Sequence, residues 1–499
     1  MKRIFWMMML SALAATVRGY ADEKPDYTKG VFILNEDWFG HQNSTINYLR
    51  PDGEWEYRVF QKENPGKELG CTSQYGAIYE GRMYIISKQE RDVAATVTGG
   101  RITVCDAETM ACIKQIETIA TDDDGRSVAD GRAFVGVTPQ KGYISTSNGI
   151  YVFDLEALEV TGLIPGTDAE GGGLYSAQCG TMLKVGDHVL AIHQKKGLLV
   201  IDAESDTVVR VIGAPLEAGV QRGFGSIVQA KDSSLWISVT PDLSGRGATI
   251  DYFFRLDYQT LDTTRIALPA GYGLPSSWYA WTADAFCASA RQNKLYWKKQ
   301  GNGWFTHNEI VCYDIDKGEC TDFFDTQSIG WYMYCGAGFR LHPETDEMYV
   351  SLYQDNLKQT YETVRLSNTG EVLGVYEMID NYWFPAMVIF PPQAQNGPTE
   401  PAEPTEPTEP TEPTEPTEPT ANEAAAPSVL LSVYPNPTAE VVYIELSEPA
   451  LLEVLAIDGR VVFRKEAGAG VQAVTLERRG LYILRVSAGG RVATGRVVR

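Results

Sequence analysis

The chain of 499 residues carries a formal net charge of −22, with 44% apolar and 11% aromatic residues. That apolar content can fill a large core, so a wholly disordered chain is excluded, and the length suggests more than one domain. The negative charge repels phosphate backbones and anionic lipid, which argues against electrostatic capture of nucleic acid.

The chain opens with MKRIFWMMMLSALAATVRGYA, in which Lys2 and Arg3 precede an apolar run and Gly19-Tyr20-Ala21 closes it. This order is that of a signal peptide over residues 1–21, cleaved after Ala21. The run is short for a membrane span, no cysteine stands near the cleavage point to carry a lipid, and no later stretch is long and apolar enough to cross. An exported protein is expected.

From Gly30 to Pro392 one pattern recurs, a hairpin of alternating apolar residues around an acidic turn. RITVCDAETMACIKQI from Arg101, GIYVFDLEALEVTGLI from Gly149, GLLVIDAESDTVVRVI from Gly197, YFFRLDYQTLDTTRIAL from Tyr252 and EIVCYDIDKGECTDFF from Glu309 are its clear copies, and weaker ones begin at Thr45 and Glu362. Taking Arg50, Asp106, Asp154, Asp202, Asp257, Asp314 and Ser367 as equivalent, the steps are 56, 48, 48, 55, 57 and 53 residues. Seven copies at that period predict an all-β, seven-bladed β-propeller over residues 22–393, each blade having four strands. The first copy has one strand-like run before it, GVFILNE, and the last is followed by a spare run, FPAMVIF. Placing the spare run in the first blade closes the ring and removes a free edge.

Eight cysteines fit an exported chain. Cys105 and Cys112 flank one outer turn, and Cys312 and Cys320 flank the equivalent turn of the sixth blade, so both pairs are disulfide candidates. Cys71, Cys179, Cys287 and Cys335 stand at or before innermost strands and have no evident pairing.

The loops expected to share one propeller face are rich in aromatics: EDWFGHQNS from Glu36, PAGYGLPSSWYAWT from Pro269, GNGWFTHN from Gly301, TQSIGWYMYC from Thr326 and IDNYWF from Ile379. Trp38, His41, Tyr75, Trp278, Tyr279, Trp281, Trp304, Trp331, Tyr332 and Trp383 are the candidate ligand-binding residues, since aromatics gathered on loops suit a large planar or amphipathic ligand. No catalytic set emerges. The five histidines are scattered, Asp122-Asp123-Asp124-Gly125 lacks the alternating spacing of a calcium loop, and neither a GxSxG elbow nor a Walker-type loop occurs, so no metal or cofactor is expected.

From Gly397 the tripeptide Glu-Pro-Thr repeats to Thr420. Proline at every third position favours polyproline II at roughly 3.1 Å per residue, so residues 394–427 are expected to form a stiff, acidic spacer. Residues 428–499 then read as short strands between Pro, Gly and Asn turns, a small β-sandwich. Tyr434-Pro435-Asn436-Pro437, Ile457-Asp458-Gly459-Arg460-Val461-Val462, Gly480-Leu481-Tyr482-Ile483-Leu484-Arg485-Val486 and the basic end Val497-Val498-Arg499 follow in order. This segment resembles the C-terminal sorting domain of the type IX secretion system of the Bacteroidetes. The resemblance implies passage across the outer membrane, engagement of the type IX machinery, and a cell-surface or extracellular destination. The arm then serves to hold a folded cargo away from the domain that docks.

The opening of the mature chain, GVFILNEDWFGHQNSTINYLRPDGE, also resembles Bacteroidetes surface propellers, through Gly30, Asn35, Glu36, Phe39, Gly40 and Asn43. Some members of that group capture cobalamin and pass it to a TonB-dependent transporter. The resemblance therefore implies a surface ligand-binding propeller, with cobalamin or another corrinoid as leading ligand, haem or a glycan behind it, and an outer-membrane TonB-dependent transporter as partner. Two other classes are weighed against it: a propeller enzyme of the lactonase or quinone-dependent dehydrogenase type, and a protein-binding or adhesion scaffold.

Overall fold

The computed structural model describes residues 26–243, 250–274, 285–299, 308–333, 338–355, 359–391, 430–434, 441–456 and 460–498, apart from 477, 479, 480 and 490. The signal segment and the Glu-Pro-Thr arm lie outside the described residues. Among the described residues the architecture is all-β, with one short helix at Val59–Glu63 and one 3-10 turn at Thr326–Ile329. No described helix is long and apolar enough to cross a membrane.

Up to residue 391 the strands form antiparallel sheets that follow the sequence repeat, an arrangement compatible with a propeller. In the second sheet Cys71–Tyr79, Arg82–Gln89, Ile102–Asp106 and Cys112–Ile116 run in order from inside to outside. The third starts at Gly131–Thr138, the fourth at Cys179–Val185, the fifth at Gly223–Gln229 and the sixth at Cys287–Ala288, each again with four strands in chain order. The seventh has five, because Tyr332–Met333 and Phe339–Leu341 both pair with Met348–Asp355. The first sheet draws on both ends of this region: Val31–Asn35 lies between Thr45–Leu49 and Pro385–Ile389.

Burial is greatest in the middle strands of a sheet and lowest in the outermost. Gly197–Asp202 is buried over its first five residues, whereas the outermost Thr207–Ile212 is mostly exposed. Middle strands are sandwiched between neighbouring sheets and so read as apolar runs, whereas the innermost keep polar positions such as Thr72, Ser73 and Gln74, and outer strands keep one wet face and tolerate charge. The largest core cluster joins the fourth, fifth and sixth sheets through Leu190, Trp236, Phe253, Trp297 and Tyr313.

In the five clear copies the aspartate at the outer turn shapes the hairpin. The Asp106 carboxylate accepts from Thr109 N and Oγ1, Asp154 from Glu156 N and Ala157 N, Asp202 from Ser205 N, Asp257 from Gln259 N and Thr260 N, and Asp314 from Lys317 N. Four residues beyond each aspartate the backbone turns left-handed, at Met110, Leu158, Asp206, Leu261 and Gly318. A side-chain acceptor for the turn amides supports that reversal even where the left-handed residue is not glycine.

The cysteine expectations are corrected. Cys105 does oppose Cys112, but the register shifts just before it, and both are free thiols. That shift breaks the regular cross-strand geometry on which a bridge depends. Cys312 opposes Thr321, and Cys320 opposes Tyr313. This one-residue offset sends the two side chains to opposite faces, Cys312 into the core with Met348 and Val350 and Cys320 against the cluster of Trp236 and Tyr313.

After the arm, Leu430–Tyr434, Val441–Leu446 and Gly470–Thr475 form one sheet, and Val461–Ala467, Ala450–Ala456, Leu481–Ala488 and Arg491–Val498 form another. Val442, Ile444, Leu452, Val454, Leu484 and Val486 fill a shared core. Tyr482 is buried there and its hydroxyl donates to Arg478 O at 2.6 Å. Tyr434 ends the first strand; Pro435, Asn436, Pro437, Asp458, Gly459 and Gly480 lie outside the described residues.

Candidate functional site

Residues 36–44 join the second and third strands of the first sheet and are tied to two neighbouring segments. Glu36 N donates to Phe384 O at 3.0 Å and Asp37 N to Trp383 O at 3.1 Å, which fixes the loop against the segment entering Pro385–Ile389. On the other side Gly40 N donates to Asp92 Oδ2 at 2.6 Å, Asp92 N to Asn43 Oδ1 at 2.7 Å and Asn43 Nδ2 to Val97 O at 2.9 Å. Asp92 is fully buried. A buried carboxylate that accepts from backbone amides of two loops holds them together because leaving it unpaired would be costly.

Four non-glycine residues around this point adopt left-handed backbone: Asp37 at φ 56°, Arg58 at 53°, Thr72 at 54° and Phe384 at 44°. Each costs of order 1–3 kcal/mol and persists only where the surroundings enforce it, a pattern that gathers at functional sites. Asp37 is buried, and its carboxylate accepts from Gln42 Nε2 and Thr45 Oγ1, both at 2.6 Å. Burial pushes this carboxyl up to about 8, against the opposing pull of Thr45, Arg58 and Gln42. Glu36, held by Gln74 Nε2 at 2.6 Å, is also pushed up by burial.

On this frame sits an aromatic stack open to solvent. Trp38 is 38% exposed, with the His41 ring 3.7 Å and the Tyr382 ring 4.1 Å from its own. Phe39 and Ile379 are still more exposed, at 61% and 57%. Beside the stack a cavity of about 230 Å³ is lined by His41, Gln42, Asn43, Thr45, Arg58, Glu68 and Ala94 to Val97. A flat, partly hydrophobic ring system could lie on the stack while polar substituents reach Gln42, Asn43 and Arg58.

The other aromatic candidates are placed differently. Trp383 is buried, stacks on Tyr57 at 5.4 Å and donates from Nε1 to Ile379 O at 2.8 Å. Trp331 is buried with Met333, Phe339 and Met348, and Tyr332 packs beside Tyr353. Tyr75 lines an interior cavity rather than the stack. Trp278, Tyr279, Trp281 and Trp304 lie outside the described residues. Sequence reasoning did not single out Asp37, Arg58, Asp92 or Tyr382. Asp37 and Tyr382 were within reach, because both stand in loops singled out for their aromatics; Arg58 and Asp92 come close to them only through folding.

Among the described residues no cluster of three or more His, Cys, Asp or Glu side chains could hold a metal ion. Asp122 instead accepts from Asp124 N and Arg126 N within its own turn.

These features define an exported all-β protein of repeated antiparallel sheets with a sorting tail. The chain belongs to the family described as Domain of unknown function (DUF5074), matched over residues 29–391. Residues 432–499 match the Secretion system C-terminal sorting domain. This type IX tail directs export to the cell surface or the extracellular space and engages the secretion machinery. No curated protein matches the sequence. Solved structures similar to the chain include the extracellular domain of a hybrid two-component system protein from B. thetaiotaomicron, 13% identical with a TM-score of 0.41, over 94% of this chain and 55% of that one. The chain thus spans about half the length of that neighbour. The β-propeller domain of Cps50 (Swd1) from Myceliophteria thermophila is 9% identical with a TM-score of 0.40, over 63% of this chain and 92% of that one.

Proposed function

We propose that the chain is a non-enzymatic binding protein of the cell surface or its surroundings, built as a closed seven-bladed propeller that captures a large amphipathic ligand. The ring reading is supported by the sequence period and by the pairing of Pro385–Ile389 with Val31–Asn35. The observation that carries the binding reading is the exposed stack of Trp38, His41 and Tyr382 on a strained, hydrogen-bonded frame. A rigid aromatic platform keeps the entropic cost of binding low, and a corrinoid, large and flat with polar side groups, is the ligand class that fits it first. Delivery to an outer-membrane TonB-dependent transporter would follow from such capture.

Calorimetric titration of the full exported chain with cyanocobalamin tests this. Saturable heat is expected, weakened about tenfold or more in Trp38→Ala. Absence of heat at high micromolar ligand rejects the corrinoid. A second reading, a protein-binding or adhesion surface, is favoured by the exposure of Phe39, Ile379 and Val93, the last at 81%. It predicts retention of a cell-surface protein partner that Phe39→Asp abolishes.

A further inference from the structure

Arg58 is exposed and holds a left-handed backbone, φ 53° and ψ 46°, at the start of the short helix Val59–Glu63. Its N donates to Asn47 Oδ1 at 2.9 Å, which pins the residue in a conformation that arginine adopts only under constraint. The guanidinium carbon lies 5.6 Å from the centroid of the buried Trp383 ring. Packing on a ring restrains the guanidinium and leaves its donors free at the edge. The same side chain lines the cavity of about 230 Å³ beside the aromatic stack, and the His41 ring belongs to both the stack and the cavity wall. A ring system lying on Trp38 is therefore one side chain away from this cavity.

Among the described residues no carboxylate pairs with Arg58, although two stand near it. Asp37 is close enough to feel its charge, but burial pushes that carboxyl up to about 8, so near neutral pH it keeps its proton, and its oxygens already accept from Gln42 and Thr45. Glu68 lines the cavity as well, and its Oε2 accepts from Gln61 Nε2 at 2.9 Å. The amides on the wall are committed to the frame: Gln42 Nε2 donates to Asp37, and Asn43 Nδ2 donates to Val97 O. Arg58 is the charged donor left to meet a ligand. In a chain of net charge −22 the overall field disfavours anions, so an anionic group is held here only through direct contact with such a cation.

We infer that this cavity receives an anionic arm of the ligand that lies on the stack, and that Arg58 thereby selects corrinoids carrying a phosphodiester arm over those that lack it; the inference rests on the corrinoid reading of the platform. A guanidinium takes two phosphate oxygens through parallel hydrogen bonds, a geometry that a point charge does not match. Ala94, Ala95 and Val97 give the rest of the arm an apolar wall. The macrocycle would sit on Trp38 and Tyr382 whether or not the arm is present, so ring and arm contribute separately.

The test is calorimetric titration of the full exported chain with dicyanocobalamin and with dicyanocobinamide, which lacks the phosphodiester, sugar and base; excess cyanide keeps the axial ligands of the two alike. Dicyanocobalamin is expected to bind about tenfold more tightly or more. Arg58→Gln should weaken dicyanocobalamin alone and bring the two within about twofold. Arg58→Lys, which keeps the charge without the fork, should retain a reduced preference, and it serves if the glutamine variant does not fold. Trp38→Ala should weaken both corrinoids alike, and Arg126→Gln, on an exposed turn paired with Asp124, should change neither. Equal affinity for the two corrinoids, or a preference undiminished in the Arg58 variants, would overturn the inference and leave the platform standing. Absence of heat from either corrinoid at high micromolar concentration would remove the corrinoid reading and this inference with it.

Discussion

Asp37 combines three costs in one residue: a left-handed backbone, full burial and a carboxylate whose ionisation burial opposes. Its ordinary value of 3.8 is raised to about 8 in the folded chain. Between those values the folded state holds a proton that the unfolded state has released, so this group removes stability as pH rises from about 4 towards 8. Asp37→Asn keeps an acceptor for Gln42 and cannot ionise. It should therefore flatten the fall in melting temperature between pH 5 and pH 8; an unchanged slope would mean that Asp37 is already ionised at pH 5. The sequence displayed Trp38, His41 and the neighbouring acid pair in one short loop. It did not display which way a loop aromatic points. Trp331 turns inward because its amide bonds back to Thr326 O at 3.1 Å across the 3-10 turn, a contact no spacing rule anticipates.

At the scale of elements, the hairpin repeat was legible because one aspartate in each of the five clear copies accepts from the amides of its own turn, and because the outermost strands carry more exposed polar positions than the strands they cover. Cross-strand register was less so: the turn pairs Asp314 with Glu319, which puts Cys312 opposite Thr321 rather than Cys320, and a one-residue difference in turn register carries no residue type that reading can detect. Close backbone approach is equally silent. A Cβ at Gly99 would come within 2.2 Å of the Leu69 carbonyl, and one at Gly70 within 2.4 Å of Gly100 O. These glycines let the segment carrying Asp92 lie flat on the one entering Cys71–Tyr79. Gly99→Ala should cost about 1–3 kcal/mol, read as a lower denaturant midpoint with unchanged slope, and should weaken any ligand held on the Trp38 platform. An alanine variant as stable as the parent would show that the two segments part easily.

At the scale of the molecule, Val31–Asn35 is buried along its whole length because it has a partner on each side. Deleting residues 385–391 while keeping the arm and tail would uncover an apolar edge of that strand. We expect loss of the monomer peak on size exclusion and soluble aggregate in its place, since unpaired edges recruit other chains. A monomer with the parent's melting temperature would contradict the closed-ring proposal.

The pairing of Val31–Asn35 with Pro385–Ile389 also sets a clock. Roughly 350 residues separate the two partners, and at ~5–20 residues per second a ribosome needs about 20–70 s to make them. For all that time the first sheet is short of a strand, and no order of local folding can supply it. The first sheet is therefore the last to be completed, after the other six have all their strands.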